Sequence, residues 1–399
     1  MKVFQLQDFP LNGKKVFVRT NYDVIVKNNK VVDETKILAS IPTLKFLLAK
    51  QCTVIIGTHL GRPAGKVKDE FRLKPIVETL KSLLPRTKIN YVQDCLGEEV
   101  KKTVNNAKQG EIVFLENLRF YKEEKENDPA FAHALANLVD VCVNEAFSNS
   151  HRKHASMNAI TKFIPSIAGL HLQKELNQLQ KAVDPKKPSV WLLGGAKLDK
   201  VQLIEQALQK ADLILIGGAL AFPFFKAQGI KVGMSKVDAR SVETAEKILK
   251  NKKSKKIILP LDFVTTKKFT AKATSKIKHY DEFSKEDIGL DLGPSTIELF
   301  EKHLKTAKTI VWNGPLGYFE WVKFSNATKE IGRFLGKLPA TVICGGGETS
   351  TAIHKFHLEH KLTHVSTGGG ASVQLLSGNK LPGIVALEKN YKKFRKEIH

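Results

Sequence analysis

Arginine is scarce in this sequence and unevenly placed, which makes it the first residue type to examine for chemistry. Of 64 basic residues only nine are arginine, and four of the nine follow short apolar runs in the first half of the chain. They are Arg19, Arg62 with His59 in GTHLGRP, Arg119 in LENLRF, and Arg152 with His151 in NEAFSNSHR. A guanidinium offers carboxylate or phosphate a planar fork that an ammonium cannot copy. Any one of these arginines could cap a strand end or pair with a carboxylate of the protein instead, but four together favour an anion pocket. His151 and His154 flank Arg152, where a pocket wall and a hydrogen-bonding role in the core suit them equally.

In the second half the signal lies in glycine. GGAK (194–197), GGAL (217–220), NGPLG (313–317), GGGET (345–349) and TGGGAS (367–372) each follow an apolar run. Glycine lets backbone N–H groups approach a ligand closely at helix N-termini, which suits phosphate. A single pair would serve a tight turn, whereas five glycine-rich strand ends favour a nucleotide. The absence of G-x-x-x-x-G-K-[ST], of G-x-G-x-x-G and of H-R-D with D-F-G argues against a P-loop NTPase, a dinucleotide enzyme and a protein kinase. One domain for a small polyanion and another for a nucleotide, facing each other across a cleft, suits phosphoryl transfer, which needs positioned anions, neutralised charge and excluded water.

Such loops need a scaffold. Apolar runs rich in β-branched residues recur at 16–19, 53–57, 112–116, 139–144, 189–194, 213–217, 257–262, 309–313, 342–345 and 364–367, alternating with segments of helical periodicity. This pattern predicts an α/β fold with parallel sheets covered by helices on both faces. In open parallel sheets ligands bind beyond the carboxyl ends of the strands, where the arginines and glycines lie. LHLQKELNQLQKAV, closed by Pro185 and Pro188, predicts a linking helix within 169–188, between domains at 1–168 and 189–380.

Composition bounds the rest. With 399 residues, 42% apolar and 26% charged, the chain is globular and long enough for two cores. Its four cysteines contain no C-x-x-C pair, so neither a disulfide framework nor a zinc knuckle is expected, and a reducing cytoplasmic setting fits. No signal peptide or membrane span is expected. The net charge of +24 comes from scattered lysines, and the run KNKKSKK (250–256) reads as a cationic helix end. Nucleic acid is therefore not the expected partner, there being no basic stripe interleaved with aromatics.

These motifs, in this order and at about this spacing, resemble phosphoglycerate kinase over essentially the whole chain: GTHLGRP, LENLRF, GGAK, VWNGPLGYFE, GGGET and HVSTGGGAS. The resemblance implies two Rossmann-like domains, with a C-terminal tail (381–399) that packs back on the N-terminal one. It implies reversible, magnesium-dependent transfer between 1,3-bisphosphoglycerate and ADP, giving 3-phosphoglycerate and ATP, by a hinge-bending cytoplasmic monomer. His59, Arg62, Arg119 and Arg152 match the glycerate-binding positions, with Arg19, Asn21 and Asp23 in the first substrate motif. Lys197 matches the lysine on the nucleotide phosphates and Glu320 the glutamate on the ribose. Gly194, Gly195, Gly218, Asn313, Pro315, Gly345, Gly346, Gly347, Glu348 and Thr349 fall on the nucleotide side. Lys36, Lys197, Lys200, Gly346 and Gly369 fall around the phosphoryl group in transfer, with Glu348 on the metal.

Four departures from the family pattern stand out. The first motif, R-x-D-x-N in the family, has acid and amide exchanged at Asn21 and Asp23. Lys36 replaces an arginine, Lys197 and Lys200 are three rather than four residues apart, and Glu348 replaces an aspartate. Ser148 to Ser150 lack the glycine of a family turn expected to act as a hinge. These differences leave open a divergent member with weak or no turnover that acts as a binding or regulatory protein. His354, His357, His360 and His364 read as a solvated helix face rather than a metal site.

Overall fold

The computed structural model describes residues 2–196 and 201–397. It divides into two compact units, one of Met1–Leu176 with Lys380–His399 and the other of Asn177–Asn379. The boundary falls inside the helix Leu170–Val183, so the predicted linking helix contributes its first half to one unit and its second half to the other.

In the first unit seven parallel strands run in the order Phe4–Gln5, Ser166–Ala168, Val141–Asn144, Lys15–Arg19, Thr53–Gly57, Ile112–Phe114, Ile89–Tyr91. Thr53–Gly57 and Val141–Asn144 are buried at every position, as strands covered on both faces must be. From Lys15–Arg19 the next strands in sequence build outward on one side and the later ones return on the other. That reversal leaves a crevice above the carboxyl ends of the central strands. The helix Pro382–Phe394 closes this unit: Asn390 accepts from the Ser166 amide (2.8 Å) and donates to the carbonyls of Thr161 (2.6 Å) and Ile164 (2.8 Å).

The second unit has six parallel strands in the order Ile257–Ile258, Leu213–Ile216, Ser189–Leu193, Thr309–Asn313, Thr341–Gly345, His364–Val365. Here the order reverses between Ser189–Leu193 and Thr309–Asn313, the strands that feed GGAK and NGPLG. The run 257–262 is not one strand. Pro260 interrupts it, and Asp262–Thr266 instead centres an antiparallel sheet with Ser275–His279 and Ile288–Leu292. Proline lacks the amide a ladder needs, so a break there is physically expected.

All four cysteines are buried and free. No described helix is long and apolar enough to cross a membrane.

Candidate active site

At the carboxyl ends of the first sheet the structure gathers Arg19, His59, Arg119, Arg152 and His154, but it does not treat the arginines alike. Arg19 is fully buried and every guanidinium nitrogen has a partner. Its Nε donates to Ser156 Oγ (2.7 Å), Nη1 to the Thr20 carbonyl, and Nη2 lies 3.3 Å from both Glu124 Oε1 and His59 Nδ1. Its fork is thus committed within the protein, and it supports the pocket from behind rather than presenting a free edge. Glu124 is itself buried, accepting also from the hydroxyl (2.7 Å) and amide (2.9 Å) of Ser156.

Arg119 is the opposite case. It is 3% exposed, yet only Nη1 is satisfied, by the Gly61 carbonyl at 2.8 Å, while Nε and Nη2 are buried with no partner. Burial, with Arg19 and Arg152 nearby, pulls its pKa down to about 10. Buried polar groups are nearly always hydrogen-bonded, so two orphan donors on a cation mark a place for an anion. Arg152 is exposed, its Nε 3.2 Å from His151 Nε2, and Arg62 is exposed on the loop after Thr53–Gly57.

The exchanged pair is anchored in the same loops. Asn21 donates to Ser148 Oγ, and Asp23 Oδ1 accepts from the Gly61 amide at 2.9 Å while Oδ2 lies 3.8 Å from His59 Nε2. Lys36, half-buried in the short helix Thr35–Leu38, donates to the Asp23 carbonyl. Of the segment Ser148 to Ser150, expected as a hinge, the first two residues lie in a 3₁₀ turn over Phe147–Asn149 and Ser150 caps its end.

The histidines are held neutral. Burial lowers His154 to about 3, assisted by Arg19, Arg119 and Arg152, and burial also holds His59 well below its usual range, with the same two buried arginines contributing. In the unfolded chain both protonate near 6.5. Below that pH the unfolded state binds more protons, so each histidine removes stability as pH falls, at up to about 1.4 kcal/mol per pH unit. Burial pushes the carboxyls of Glu145 and Asp291 up to about 7, and these act in the opposite sense. Comparing wild type with His154→Gln isolates the histidine: in urea unfolding between about pH 6 and 4 the variant should lose stability less steeply. Parallel slopes would show that His154 already titrates normally.

In the second unit the loops interlock through backbone. Gly194 and Gly195 donate to the carbonyls of Asn313 (2.8 Å) and Pro315 (2.7 Å). A Cβ on Gly194 would stand 2.3 Å from the Pro315 carbonyl, which only glycine avoids. Thr349 Oγ1 accepts from the Gly314 amide (2.7 Å) and donates to the Gly345 carbonyl (2.9 Å), tying NGPLG to GGGET. Asn313 is buried, donates to the Gly345 carbonyl (2.8 Å), and has an orphan Oδ1. Gly346 (φ +96°) precedes the helix Gly347–Lys355, whose first turn carries the exposed Glu348.

Beside these loops lies a mainly apolar cavity of about 510 Å³, walled by Phe222, Phe263, Phe269 and Tyr318 and floored by Gly195, Gly218 and Pro315. Glu320 and Glu348 line it, as does Asp291, which is buried and accepts from the Leu292 and Ala327 amides. A cavity of this size with an apolar wall and a few carboxylates has the character of a small-molecule site. Gly369 (φ +50°) precedes the last glycine-rich helix, Gly370–Leu376. Lys197 and Lys200 lie outside the described residues. His364 is buried at the start of the last strand, apart from the helix face of His354, and no group of three or more metal-ligating side chains occurs among the described residues.

Sequence reasoning missed Glu124, Ser156 and Asp291. Glu124 sits in KEEKE, which reads as a solvated face, and nothing in that run marks one glutamate as buried.

The phosphoglycerate kinase family model matches residues 6–379. The chain belongs to the phosphoglycerate kinase family. Its relatives include a phosphoglycerate kinase of Dictyoglomus turgidum, 44% identical over 97% of this chain and 98% of that protein. Another is "Phosphoglycerate kinase, cytosolic" of Triticum aestivum, 46% identical over 96% of this chain and 98% of that protein. Among solved structures, phosphoglycerate kinase from Coxiella burnetii superposes with a TM-score of 0.89 at 32% identity, covering 98% of this chain and all of that one. Membership makes the protein a phosphotransferase of a glycolytic family, and the parallel-sheet α/β architecture is that of its structural relatives.

Proposed function

We propose that this protein catalyses the reversible transfer of the 1-phosphate of 1,3-bisphosphoglycerate to ADP, giving 3-phosphoglycerate and ATP. The observation that carries this reading is the pair of orphan donors on buried Arg119, in a pocket where neutral histidines and cationic arginines await an anion. The first unit binds the glycerate, with Arg119, Arg152 and Arg62 on its phosphate, His59 and Asp23 beside it, and Arg19 with Asn21 fixing the loops. The second unit binds nucleotide in the apolar cavity, with Gly194, Gly195 and Gly218 at its floor, Glu320 toward the ribose and the Gly345–Gly347 loop toward the phosphates. In this reading Lys197 and Lys200 take the nucleotide-phosphate role.

Magnesium fits as a companion of the nucleotide rather than a resident of the protein. Glu348 is a carboxylate at the cavity, and magnesium typically takes one or two such ligands together with substrate phosphates. When bound it neutralises phosphate charge. The protein's own work is positioning and electrostatic stabilisation, since the acceptor oxygens are already anionic and need no general base. Transfer requires the two substrates to meet, so the reading includes closure about the helix Leu170–Val183 with exclusion of water. A monomer fits this reading, and a cytosolic setting is supported by the cytosolic wheat relative.

Lys36 keeps the charge of the family's arginine without its fork. Lys36→Arg should raise kcat, on the order of tenfold, well below the full value of such an arginine because charge is already present. An unchanged or lower kcat would place Lys36 outside the transfer step. The whole reading is tested by steady-state transfer from MgATP to 3-phosphoglycerate, coupled to NADH oxidation, with glycerate and acceptor-free controls. Folded protein that binds MgATP but turns over no 3-phosphoglycerate would overturn it in favour of a divergent binding protein.

A further inference from the structure

The first unit contains a second cavity, about 660 Å³ in volume, between the helix Pro382–Phe394 and the turn Ala159–Lys162. Five lysines line it, Lys153, Lys162, Lys380, Lys389 and Lys393, and no acidic residue does. All five are exposed, and none pairs with a carboxylate among the described residues, whereas Lys81, Lys88, Lys101, Lys247 and Lys278 elsewhere do. Lys389 and Lys393 stand one helical turn apart, a spacing at which like charges destabilise a helix. Lys393 is also held against the groove wall, donating to the Lys162 carbonyl at 2.7 Å and lying 4.8 Å from the centre of the Phe394 ring. The opposite wall is fixed by Asn158, which donates to the Pro382 carbonyl at 3.2 Å.

We propose that this groove binds an inorganic oligophosphate. Lysine ammonium groups act as point charges that meet phosphate oxygens from several directions, and five of them with no acidic residue suit a ligand carrying several negative charges. It has no aromatic ring on which a base could stack, so a bare phosphate chain fits better than a nucleotide or a single strand. The volume is that of a small-ligand site. The groove is separate from the arginine pocket, and neighbouring residues of one loop serve each: Arg152 the pocket and Lys153 the groove.

The test is calorimetric titration of tripolyphosphate into the full-length protein, with saturating 3-phosphoglycerate and ADP present to fill the arginine pocket and the nucleotide site. Binding at one site is expected, weakening with added salt. The double variant Lys389→Glu, Lys393→Glu should weaken it by about tenfold or more while leaving coupled turnover unchanged. Absence of binding, or binding indifferent to the double variant, overturns the proposal. So does an oligothymidylate or an oligoglutamate that binds through the same lysines as tightly as tripolyphosphate, since the groove would then select a nucleic acid or an acidic peptide.

Discussion

Arg119→Met is expected to lower kcat/KM for 3-phosphoglycerate by about 10² to 10³ while leaving the KM for MgATP unchanged. The magnitude follows from the charge-assisted hydrogen bonds that Nε and Nη2 can form only with a ligand, since removing one side of a buried charged contact costs roughly 2–5 kcal/mol. The same substitution should not destabilise the free protein. A buried guanidinium with two unmet donors is a cost the ligand-free fold already carries, and an apolar side chain of similar length relieves it. The melting temperature without substrate should therefore hold or rise, which separates a binding role from a structural one. Unchanged kcat/KM, or a collapse in stability, would remove Arg119 from the substrate site.

Arg19 gives the complementary result, and the largest expected effect on stability. Glu124→Gln retains shape but removes the charge facing Arg19, leaving a fully buried cation without its counter-ion. Breaking such a pair from one side costs about 3–5 kcal/mol, readable as a lower midpoint in denaturant. Because Glu124 also holds the hydroxyl and amide of Ser156, the loop carrying His154 should loosen with it. A change below about 1 kcal/mol would mean that Arg19 finds water or another acceptor, and that the pair is not what holds this loop. The contrast between the two arginines is one of wiring: both are buried, but only Arg19 has every guanidinium nitrogen met by the protein.

That contrast also marks the limit of what residue order conveys. The strand ends were legible because each central strand is short, apolar and followed by residues of unusual type. Thr53–Gly57, Ser189–Leu193, Leu213–Ile216 and Thr309–Asn313 lie where the apolar runs place them. The short outer strands, Phe4–Gln5 and Ile89–Tyr91 at the edges and Ser166–Ala168 next to one of them, were not, since two or three residues carry too little pattern to distinguish from loop. The sheet built on Asp262–Thr266 was hidden because its hydrophobic run continues across Pro260. Within the site, arginine scarcity located the pocket, but the sequence does not distinguish the orphan from the satisfied arginine. That distinction depends on a glutamate from KEEKE, 105 positions from Arg19, folding inward.

The last helix of the first unit carries a consequence for biosynthesis. Asn390 donates to the carbonyls of Thr161 and Ile164 and accepts from the Ser166 amide, yet it is made only after the entire second unit has been translated. At roughly 5–20 residues per second, the intervening 200 or so residues take on the order of 10–40 s. Throughout that interval the edge near Ser166–Ala168 and the residues the helix will cover are exposed on the nascent chain. The second unit, drawn from one unbroken stretch, can finish first. The first unit therefore cannot complete its packing before the second has been made, and the interval is when a chaperone would find the most to hold.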